Sequence, residues 1–518
     1  MALPLESLLR GITYHRLGAP PPPWVSEIRT HSAAVGPGDV FVAVPGHRFD
    51  GARFVREAVR RGARMVVSEV PPPAGTPLHE VTWLMVPSAR AALSRLAANR
   101  YGRPSTRLRV TGVTGTTGKT TTALLLRHLL AASGRPAGLI GSLAVDTGLR
   151  RLAGGLTTPD PLDLHGYVDE MVRAGLQEAV VEVSSQGVDQ ARVNDVDFDL
   201  GVVTNLAPLE HLEYHAGYQD YVAAKARFVA MIPPRGALLM GEGEAYARLA
   251  PAARAPVVIF GRSPASDVRL AGEGIDGWTT RLYVTVQRPL PGAGEPFPAG
   301  PLELRTQLLG PHHAANVLAA VTAALCLGVS PEEIAAALPL FPPPRRRTQV
   351  LMREPFTVID DTAGHPDSIA AALEVAAALP HRRIVVVYAV RGGRGVEVNA
   401  ANGSVLAREA GRLGAAVIVT ASQGDTAEGD TVRPEEWQAC IGAMAAAGMR
   451  PALYPRLPDA VAAGLKPLRD GDLLLLLGAQ GMDRGAAYLH AMLAPAALRP
   501  AARAGVSGEA MAEQVFVV

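Results

Sequence analysis

Runs of consecutive apolar residues, rather than an alternating pattern, mark the strands of this chain. The clearest runs cover residues 108–114, 178–183 and 200–204. Strands of this kind are typical of parallel sheets whose two faces are both covered by helices. An apolar helical pattern at residues 123–130 follows the first run and ends at Gly134. A strand followed directly by a helix predicts an α/β fold built on a parallel sheet.

The same patterns divide the chain into three parts and a tail. Residues 1–104 carry two short strands and two helices, and residues 105–342 carry the three long apolar runs. Looser alternation with proline and glycine at residues 265–308 indicates an antiparallel extension of the second part. Strands and helices alternate regularly in residues 343–498, which predicts a parallel, doubly wound sheet. The predicted strands of that third part are residues 356–360, 384–389, 416–420 and 473–477, and residues 499–518 are expected to be a loose tail.

Composition excludes several classes of protein. The 518 residues carry a net charge of +2, so neither a nucleic acid nor another polyanion is indicated as a partner. No apolar run approaches the roughly 20 residues that span a bilayer, and the N-terminus lacks a basic stretch followed by an apolar core. Two cysteines far apart in sequence, Cys326 and Cys440, cannot form a disulfide framework or a four-cysteine zinc site. We therefore expect a soluble, cytoplasmic protein without a membrane partner.

The segment Thr111-Gly-Val-Thr-Gly-Thr-Thr-Gly-Lys-Thr-Thr121 lies between the first apolar run and its helix. Gly115 and Gly118 allow backbone N–H groups to turn inward, and the start of the helix adds a positive dipole end. Lys119 can reach the β- and γ-phosphates, and the Thr120 hydroxyl can bind Mg²⁺. The strict G-x-x-x-x-G-K-[ST] pattern requires glycine at position 113, where this chain has valine, and the glycine stands at 112 instead. An ordinary tight turn is the alternative, but Gly-Lys-Thr-Thr before an apolar helix favours a site for a nucleoside triphosphate.

Three more side chains are candidates for the chemistry of this site. Glu182 lies inside an apolar strand, where an unpaired carboxylate costs several kcal/mol. Either an edge position or a salt bridge explains it, or it binds Mg²⁺ beside the phosphate loop, directly or through another ligand. His211 follows the third apolar run among carboxylates, and it is either a Mg²⁺ ligand or part of a hydrogen-bonded loop without chemistry. Lys225 lies on a predicted helix among alanines, and the residues alone favour a solvated lysine.

Taken together, these segments resemble the Mur ligase family over about residues 28–490. Within that family the chain is most similar to the ligases that add an amino acid to a UDP-N-acetylmuramoyl dipeptide. The matching segments keep the family's order and spacing, and they are Thr114-Gly-Thr-Thr-Gly-Lys-Thr-Thr121, Leu156-Thr-Thr-Pro-Asp160, Val181-Glu-Val-Ser-Ser185, Asp189-Gln-Ala-Arg-Val193, His211-Leu-Glu-Tyr-His215 and Ala224-Lys225. The resemblance implies an N-terminal UDP-sugar-binding domain, a P-loop-type central parallel sheet, a Rossmann-like C-terminal domain and a monomer.

The resemblance also implies roles for individual residues. Glu182 and His211 would hold Mg²⁺, and Lys225 would be carbamylated and so become an anion that orients a second metal ion. The ATP site would consist of Gly115, Thr116, Thr117, Gly118, Lys119, Thr120 and Thr121, with Asn316 facing the adenine and with Arg347 and Asp361 closing on phosphate and ribose. The residues implied to contact the muramoyl-peptide acceptor are Thr157, Thr158, Ser184, Gln190 and Arg192. Ser32 resembles part of the family's uridine-binding region.

Several positions depart from the family's pattern, and most of them are expected to hold the incoming amino acid. The family's Gly-Gly-x-Arg-Asp loop is replaced by Val390-Arg-Gly-Gly-Arg-Gly-Val396, and its final Gly-Lys-Gly-His-Glu becomes Ala479-Gln-Gly-Met-Asp483. The Asp-Asn-Pro-Arg that selects diaminopimelate is absent after residues 417–420. Neither diaminopimelate nor lysine is therefore indicated. Arg391 and Arg394 offer a clamp for a carboxylate, with a solvated loop as the alternative. Smaller departures are His31-Ser-Ala33, Glu210, Glu213, His312-His313 and Asp361-Thr-Ala-Gly-His-Pro-Asp367.

The implied reaction is ATP-dependent amide-bond formation in peptidoglycan precursor synthesis. ATP would phosphorylate the acceptor carboxylate, and an amine delivered by the third part, through closure about a stiff hinge at residues 341–347, would attack the acyl phosphate. Three alternatives stay open. A cyanophycin-synthetase-like ligase would use another acceptor, and a folylpolyglutamate-synthase-like enzyme would not need the uridine-binding region at residues 28–69. A non-catalytic nucleotide-binding paralogue is disfavoured by the intact set Lys119, Thr120, Glu182, His211 and Lys225.

Overall fold

The computed structural model describes residues 3–46, 50–208, 214–291 and 299–494. The chain forms two compact units, Met1–Pro344 and Arg345–Val518. The first unit contains two large sheets and the second unit contains one.

A five-stranded sheet begins the first unit. Four of its strands are parallel, and one edge strand pairs antiparallel. In spatial order the strands are His15–Gly18, Thr82–Met85, Met65–Ser68, Val40–Val42 and Ile28–Arg29, and a separate ribbon pairs Leu3–Pro4 with Trp24–Val25. The α- and 3-10 helices of this part are Leu5–Leu8, Ser32–Ala34, Gly51–Phe54, Val55–Arg60, Ala89–Arg100 and Pro104–Arg107. The helix Ala89–Arg100 packs Leu93 and Leu96 into one apolar core with Val40 and Met65.

An eleven-stranded sheet forms the rest of the first unit. Seven consecutive strands in it are parallel, and antiparallel strands extend it at both edges. In spatial order the strands are Arg151–Ala153, Ala144–Asp146, Ala137–Ile140, Glu178–Glu182, Arg109–Thr114, Leu200–Val203, Ala237–Gly241, Val257–Gly261, Val268–Asp276, Thr279–Val286 and Gly300–Thr306. The antiparallel extension predicted at residues 265–308 is therefore confirmed.

Helices cover both faces of this sheet, which explains why its strands are apolar throughout. Val180 lies in one core cluster, with Leu125 of the helix after the phosphate loop, and the next residue, Val181, lies in the opposite cluster with Phe228. Successive side chains of a strand point to opposite faces, so both positions must be apolar when both faces are covered. The α- and 3-10 helices of this part are Lys119–Ala132, Pro161–Arg173, Ser185–Asp189, Tyr218–Met231, Glu244–Leu249, Ala250–Ala252, Pro311–Cys326, Pro331–Ala337 and Leu338–Leu340.

The second unit is a six-stranded sheet with helices between its strands. In spatial order the strands are Gln349–Met352, Thr357–Asp361, Leu473–Leu477, Ile384–Ala389, Ala416–Thr420 and Ala452–Tyr454. All neighbours are parallel except the edge pair Gln349–Met352 and Thr357–Asp361. The α- and 3-10 helices are Pro366–Ala378, Val396–Arg412, Glu428–Asp430, Pro434–Ala446, Leu457–Leu465, Gln480–Met482 and Gly485–Leu493. No helix among the described residues is both long enough and apolar enough to cross a membrane.

The predicted α/β fold with parallel sheets is confirmed. The edge strand Gln349–Met352 has no counterpart in the prediction, because four half-buried residues at a sheet edge carry little apolar signal. The predicted domain boundaries at residues 104 and 342 stay predictions, since the compact units separate only between Pro344 and Arg345. The expected tail at 499–518 lies outside the described residues.

One buried histidine makes the stability of the first unit depend on pH. His165, on the helix Pro161–Arg173, is fully buried, and neither ring nitrogen has a hydrogen-bond partner among the described residues. Burial, with a smaller contribution from the charge of Arg103, lowers the pKa of His165 to about 4, against the attraction of Asp197. The unfolded chain would bind this proton near pH 6.5, so stability is unaffected above that pH and falls as the pH drops from 6.5 toward 4.

We expect the variant His165→Leu, which cannot be protonated, to lose less stability on acidification than the wild type. The wild type should lose about 2 kcal/mol more than the variant between pH 7 and pH 5. Urea unfolding at the two pH values measures the difference. His79, whose side chain is 78% exposed, provides the matched control His79→Leu. Equal acid sensitivity of wild type and His165→Leu would contradict the assignment.

Candidate functional site

The candidate site lies at the carboxyl ends of three adjacent parallel strands of the eleven-stranded sheet. Glu182 is opposite Val113 in one strand pair, and Val203 is opposite Thr114 in the next. The register therefore ends all three strands at the same level. The segments that follow them, which carry most of the predicted site residues, leave the sheet side by side.

The phosphate loop connects the strand Arg109–Thr114 to the helix Lys119–Ala132, and two of its glycines are required by close contacts. A Cβ atom on Gly115 would lie 1.9 Å from Thr204 Oγ1, and one on Gly118 would lie 2.1 Å from Asn316 Oδ1. Both glycines also have positive φ, 149° and 84°. The predicted nucleotide residue Asn316 is thus in contact with the loop.

Gly112, the glycine that stands one position before the strict pattern, has a different role. It lies inside the strand, and a Cβ atom there would be 2.7 Å from the Phe228 ring and 2.8 Å from the Phe198 ring. These two rings pack edge to face, with centroids 5.3 Å apart. Gly112 therefore makes room for aromatic packing under the loop and does not belong to the loop itself.

Lys119 begins the helix and folds back over the phosphate loop. Its Nζ donates to the carbonyl oxygens of Gly115 and Thr116, at 2.9 and 3.0 Å. The first helical N–H groups follow directly, and the N-terminus of a helix attracts anions. The loop thus combines a lysine ammonium with the positive end of a helix dipole, which is the arrangement that binds phosphate groups.

Glu182 is buried beside the first turn of this helix. It has the same orientation as Val180, two residues earlier, and so faces the helix Lys119–Ala132. Its Oε2 accepts from Thr120 Oγ1 at 2.9 Å, and its Oε1 accepts from the Ser142 N–H at 3.0 Å. Burial raises the pKa of Glu182, against the lowering effects of Thr120 and Lys119. A buried carboxylate bonded to hydroxyl and amide groups, next to a threonine hydroxyl, suits a divalent cation.

Lys225 is not the solvated lysine that the residues alone favour. It lies on the helix Tyr218–Met231 and is only 1% exposed. Its Nζ donates to Thr114 Oγ1 at 3.2 Å and to the Gly115 carbonyl at 3.0 Å, and it lies 4.9 Å from the centre of the Tyr221 ring. Burial, reinforced by the charge of Lys119, holds the pKa of Lys225 well below its usual value. The interpretation of Lys225 as a solvated lysine was wrong, because a position on a predicted helix does not show whether the folded protein buries the side chain.

Three of the four predicted metal ligands, Thr120, Glu182 and Lys225, lie among the described residues. His211 lies outside the described residues, which exclude 209–213. Among the residues that are described, no group of three or more His, Cys, Asp or Glu side chains converges on one point. Thr120 and Glu182 are brought together, and Lys225 lies on the other side of the same loop.

The predicted acceptor residues form one hydrogen-bonded cluster after the strand of Glu182. Thr158 Oγ1 donates to the Glu182 carbonyl at 2.9 Å and accepts the Ser184 N–H at 2.9 Å. The buried Arg192 donates to the Thr158 carbonyl at 2.6 Å and to Gln190 Oε1 at 2.7 Å. Thr157 joins the cluster through Ser142, at 2.9 Å between hydroxyl oxygens. Sequence order alone could not show that these residues touch.

A cavity of about 510 Å³ lies between this cluster and the five-stranded part of the first unit. Ser32 lies on its wall and donates to Glu57 Oε2 at 2.8 Å. The residues that line this cavity include Ser32, Gly46, Gly51, Arg90, Gln190 and Arg192. The structure therefore places the predicted uridine-region residue and two predicted acceptor residues around one cavity.

In the second unit, the predicted nucleotide residues Arg347 and Asp361 both bond to groups near the end of the strand Thr357–Asp361. Asp361 Oδ2 accepts from the N–H and the hydroxyl of Thr348, at 2.6 and 2.9 Å. Arg347 donates to the Arg346 carbonyl at 3.1 Å and to the Thr362 hydroxyl. Each residue thus bonds to the chain neighbour of the other, Arg347 to Thr362 and Asp361 to Thr348, and their contacts with ATP stay a prediction.

The altered glycine-rich loop of the second unit is held by a carboxylate of the same chain. Glu436, only 1% exposed, accepts from the N–H groups of Gly393, Arg394 and Gly395, at 3.1, 2.8 and 2.7 Å. It also accepts from the Arg433 N–H at 2.9 Å. These inward-turned amides are thus already bonded to a carboxylate of the chain, which leaves them no donor for a phosphate.

Two residues of the site escaped the sequence analysis, Ser142 and Asn205. Ser142 bonds to Glu182, and Asn205 bonds to the phosphate loop. The position of Asn205, directly after the apolar run 200–204, was a usable signal, because polar residues at the carboxyl end of a buried parallel strand face the ligand crevice. Ser142 follows the strand Ala137–Ile140, which has no counterpart among the predicted apolar runs, and carried no comparable signal.

Comparison with known proteins matches the chain to three family models. The Mur ligase family catalytic domain matches residues 25–101, the Mur ligase middle domain residues 113–324, and the Mur ligase glutamate ligase domain residues 346–480. A UDP-N-acetylmuramoyl-L-alanyl-D-glutamate–2,6-diaminopimelate ligase of Geobacter metallireducens is 31% identical, over 92% of this chain and 93% of its own length. The enzyme of the same name from Aquifex aeolicus is 33% identical over 71% and 73%. The crystal structure of MurF from Acinetobacter baumannii, 22% identical, superposes with a TM-score of 0.66 over 94% of this chain and 99% of that one, which shows the shared fold.

We expect Glu182→Gln to stabilise the metal-free protein, because it removes a buried negative charge that has no basic hydrogen-bond partner and keeps the shape of the side chain. A gain of about 1 kcal/mol corresponds to a rise in melting temperature of about 2–4 °C. The variant should also lose the further rise that millimolar Mg²⁺ gives the wild type. Thermal unfolding with Mg²⁺ and with EDTA measures both effects.

Glu178 provides the matched control, since it lies in the same strand, is equally buried and is paired with Arg109 and Arg135. Glu178→Gln should destabilise the protein, because it leaves two guanidinium groups with a weaker partner. Destabilisation of Glu182→Gln to the same degree would show that Glu182 has a structural role and would contradict a metal site.

Proposed function

This chain belongs to the Mur ligase family, and on that premise we propose how its residues bind each substrate of its reaction. The protein is an ATP-dependent ligase that forms a carbon–nitrogen bond and adds an amino acid in peptidoglycan precursor synthesis. The proposal concerns the acceptor, the metal ion and the part played by each side chain. A cytoplasmic location and a monomeric state stay predictions.

The acceptor that the site fits is UDP-N-acetylmuramoyl-L-alanyl-D-glutamate. Its uridine end would lie by Ser32, and its peptide carboxylates by Arg192, at the two sides of the 510 Å³ cavity. Arg192 supports this assignment because it is buried and preoriented by bonds to Thr158 and Gln190. A guanidinium that is fixed in this way loses little side-chain entropy when it binds a carboxylate.

The observation that carries the proposal is the convergence of Lys119, Thr120, Glu182 and Lys225 on one phosphate loop. ATP would bind with its β- and γ-phosphates against Lys119 and the helix N-terminus. An oxygen of the acceptor carboxylate would attack the γ-phosphorus, the bond between the γ-phosphorus and the β,γ-bridging oxygen would break, and ADP would leave. Lys119 and the loop amides stabilise the negative charge of this transfer.

Thr120, Glu182, His211 and Lys225 as its carbamate are the residues proposed to hold Mg²⁺. When bound, Mg²⁺ neutralises charge on the transferring phosphoryl group. The amine of the incoming amino acid would then attack the acyl carbon, inorganic phosphate would leave, and the nitrogen would lose a proton. We assign the binding of this amino acid to the second unit, where the backbone of Arg394 is bonded to Glu436 and that of Arg391 to Asn399.

Phosphate release from ATP tests this function when it is measured with UDP-N-acetylmuramoyl-L-alanyl-D-glutamate and a panel of amino acids. We expect release that requires both the acceptor and one amino acid. Release that requires an amino acid but another acceptor, such as a folyl- or cyanophycin-type peptide, would contradict the acceptor assignment. No release with any acceptor, in protein that binds ATP, would favour a non-catalytic paralogue.

Lys119→Ala should retain the fold and lose at least about 10²-fold in the rate of phosphate release, because it removes a charge aimed at the transferring phosphoryl group. The chain offers a matched control in Lys466, an exposed lysine of the second unit. Lys466→Ala should leave the rate unchanged. Full activity of Lys119→Ala would contradict the proposed mechanism.

The carbamylation of Lys225 makes a separate prediction. Its buried amine, with a lowered pKa, is the neutral nucleophile that attacks CO₂, forming an N–C bond and releasing one proton. Lys225→Ala should be inactive, and added formate should restore part of its phosphate release by replacing the carbamate oxygens. Formate should not restore Lys119→Ala. Absence of any rescue, together with full activity of Lys225→Arg, would contradict carbamylation, since arginine cannot form the carbamate.

A further inference from the structure

Asn205 is bonded to the phosphate loop through every polar atom of its carboxamide. Its Oδ1 accepts from the N–H groups of Thr116 and Thr117, at 3.1 and 3.0 Å. Its Nδ2 donates to the Thr117 hydroxyl at 2.9 Å and to the Thr117 carbonyl at 3.3 Å. One side chain thus binds both polar groups of the Thr117 backbone and its hydroxyl.

The segment around Asn205 holds the same half of the loop by further bonds. Thr204 Oγ1 donates to the Thr117 carbonyl at 2.6 Å. Thr116 Oγ1 accepts the Ala207 N–H at 2.9 Å and bonds to the Tyr221 hydroxyl at 2.8 Å. The first half of the loop is therefore fastened to the strand end at 204–207 and to the helix Tyr218–Met231.

These bonds divide the amides of the phosphate loop into two groups. The N–H groups of Thr116 and Thr117 are bonded to Asn205. The first intrahelical bond runs from the Thr122 N–H to the Gly118 carbonyl, so the preceding N–H groups lie at the open end of the helix. Those amides, with Lys119, are the donors that can face the phosphates of a nucleotide.

We propose that Asn205 is a positioning residue that holds Thr116 and Thr117 so that the following amides face the nucleotide phosphates. This inference rests on the proposed role of the loop in binding ATP, and it adds a residue that neither the pattern of the loop nor the acceptor site includes. Asn205 acts through the loop and does not itself contact phosphate. Its bonds are made without nucleotide and are kept when nucleotide binds.

Hydrogen exchange of single amides tests the arrangement directly. The Thr117 N–H has Asn205 Oδ1 as its acceptor, whereas the Thr116 N–H also has the Asn205 backbone carbonyl, at 3.1 Å. In Asn205→Ala, exchange at Thr117 should accelerate about tenfold or more, and exchange at Thr116 should change much less. Asn205→Asp keeps the acceptor oxygen and should keep Thr117 protected. Mass spectrometry with residue-level fragmentation resolves the two amides.

Binding of ADP, measured by calorimetry, tests the consequence for the site. Asn205→Ala should weaken ADP binding about tenfold, equivalent to about 1.4 kcal/mol, and leave the affinity for the UDP-linked acceptor unchanged. Asn205→Asp should also weaken ADP binding, because its carboxylate repels the phosphates, and this loss should shrink as the salt concentration rises. The exposed Asn194 offers the control Asn194→Ala, for which no change is expected.

Two results would overturn the proposal. One is rapid exchange of the Thr117 amide in the wild type that slows only when ADP is added, because the amide would then be a phosphate ligand. The other is an equal loss of ADP affinity, acceptor affinity and melting temperature in Asn205→Ala, which would indicate a general structural role. Hydrogen exchange, ADP binding and melting temperature require neither turnover nor an acceptor, so a wrong acceptor assignment would leave these three measurements intact.

Discussion

The burial of charged groups around one loop is the constraint on which the site depends. A carboxylate at Glu182 and an amine at Lys225 are both removed from water, on opposite sides of the phosphate loop, and neither forms a salt bridge with the other. Burial opposes the charged form of each, raising the pKa of Glu182 and lowering that of Lys225. Such an arrangement costs stability in the empty protein, and ligands that bring their own charge offset the cost. The proposed nucleotide and metal ion, and the proposed carbamate on Lys225, would each bring charge to the site.

The scarcity of lysine in this chain draws attention to the two lysines at the phosphate loop, the half-buried Lys119 and the buried Lys225. The sequence has three lysines, Lys119, Lys225 and Lys466, among 50 basic residues, so arginine serves almost everywhere that a positive charge is needed. Arginine stays protonated and cannot form a carbamate, and its planar fork does not act as a compact point charge. Two of the three lysines thus lie at the phosphate loop, Lys119 within it and Lys225 on the helix packed against it, at positions where the proposed chemistry calls for lysine.

In the second unit, the segments that depart from the family's pattern are bonded to other parts of the same unit. Arg346, with a positive φ of 56°, forms ion pairs with Asp360 and Asp483 and donates to the carbonyl of Ala479 at 3.1 Å. Burial raises the pKa of Asp360 to about 6, and the charge of Arg346 opposes the rise. The altered segment Ala479–Asp483 is thus tied to the start of the unit, just as Glu436 ties the altered glycine-rich loop. Both altered segments lie at the strand ends where the incoming amino acid is expected to bind. That amino acid is therefore expected to differ in chemistry from the one that the relatives use.

The sequence by itself determined the α/β class, the strands that carry the site and the phosphate loop, because continuous apolar runs and Gly-Lys-Thr-Thr are local signals. It also identified Thr158, Ser184, Gln190 and Arg192, although only as a resemblance. Tertiary structure decided which of these residues touch, corrected the interpretation of Lys225 made from residues alone, and gave Gly112 a role that the sequence analysis had not assigned. Lys225 is buried because its helix packs under the loop, and Gly112 is a packing position because two phenylalanines meet there. Which groups Asn205 and Ser142 contact depends on strand pairing, since Leu200–Val203 pairs with Arg109–Thr114 and Ala137–Ile140 pairs with Glu178–Glu182, a long-range arrangement that no local pattern contains.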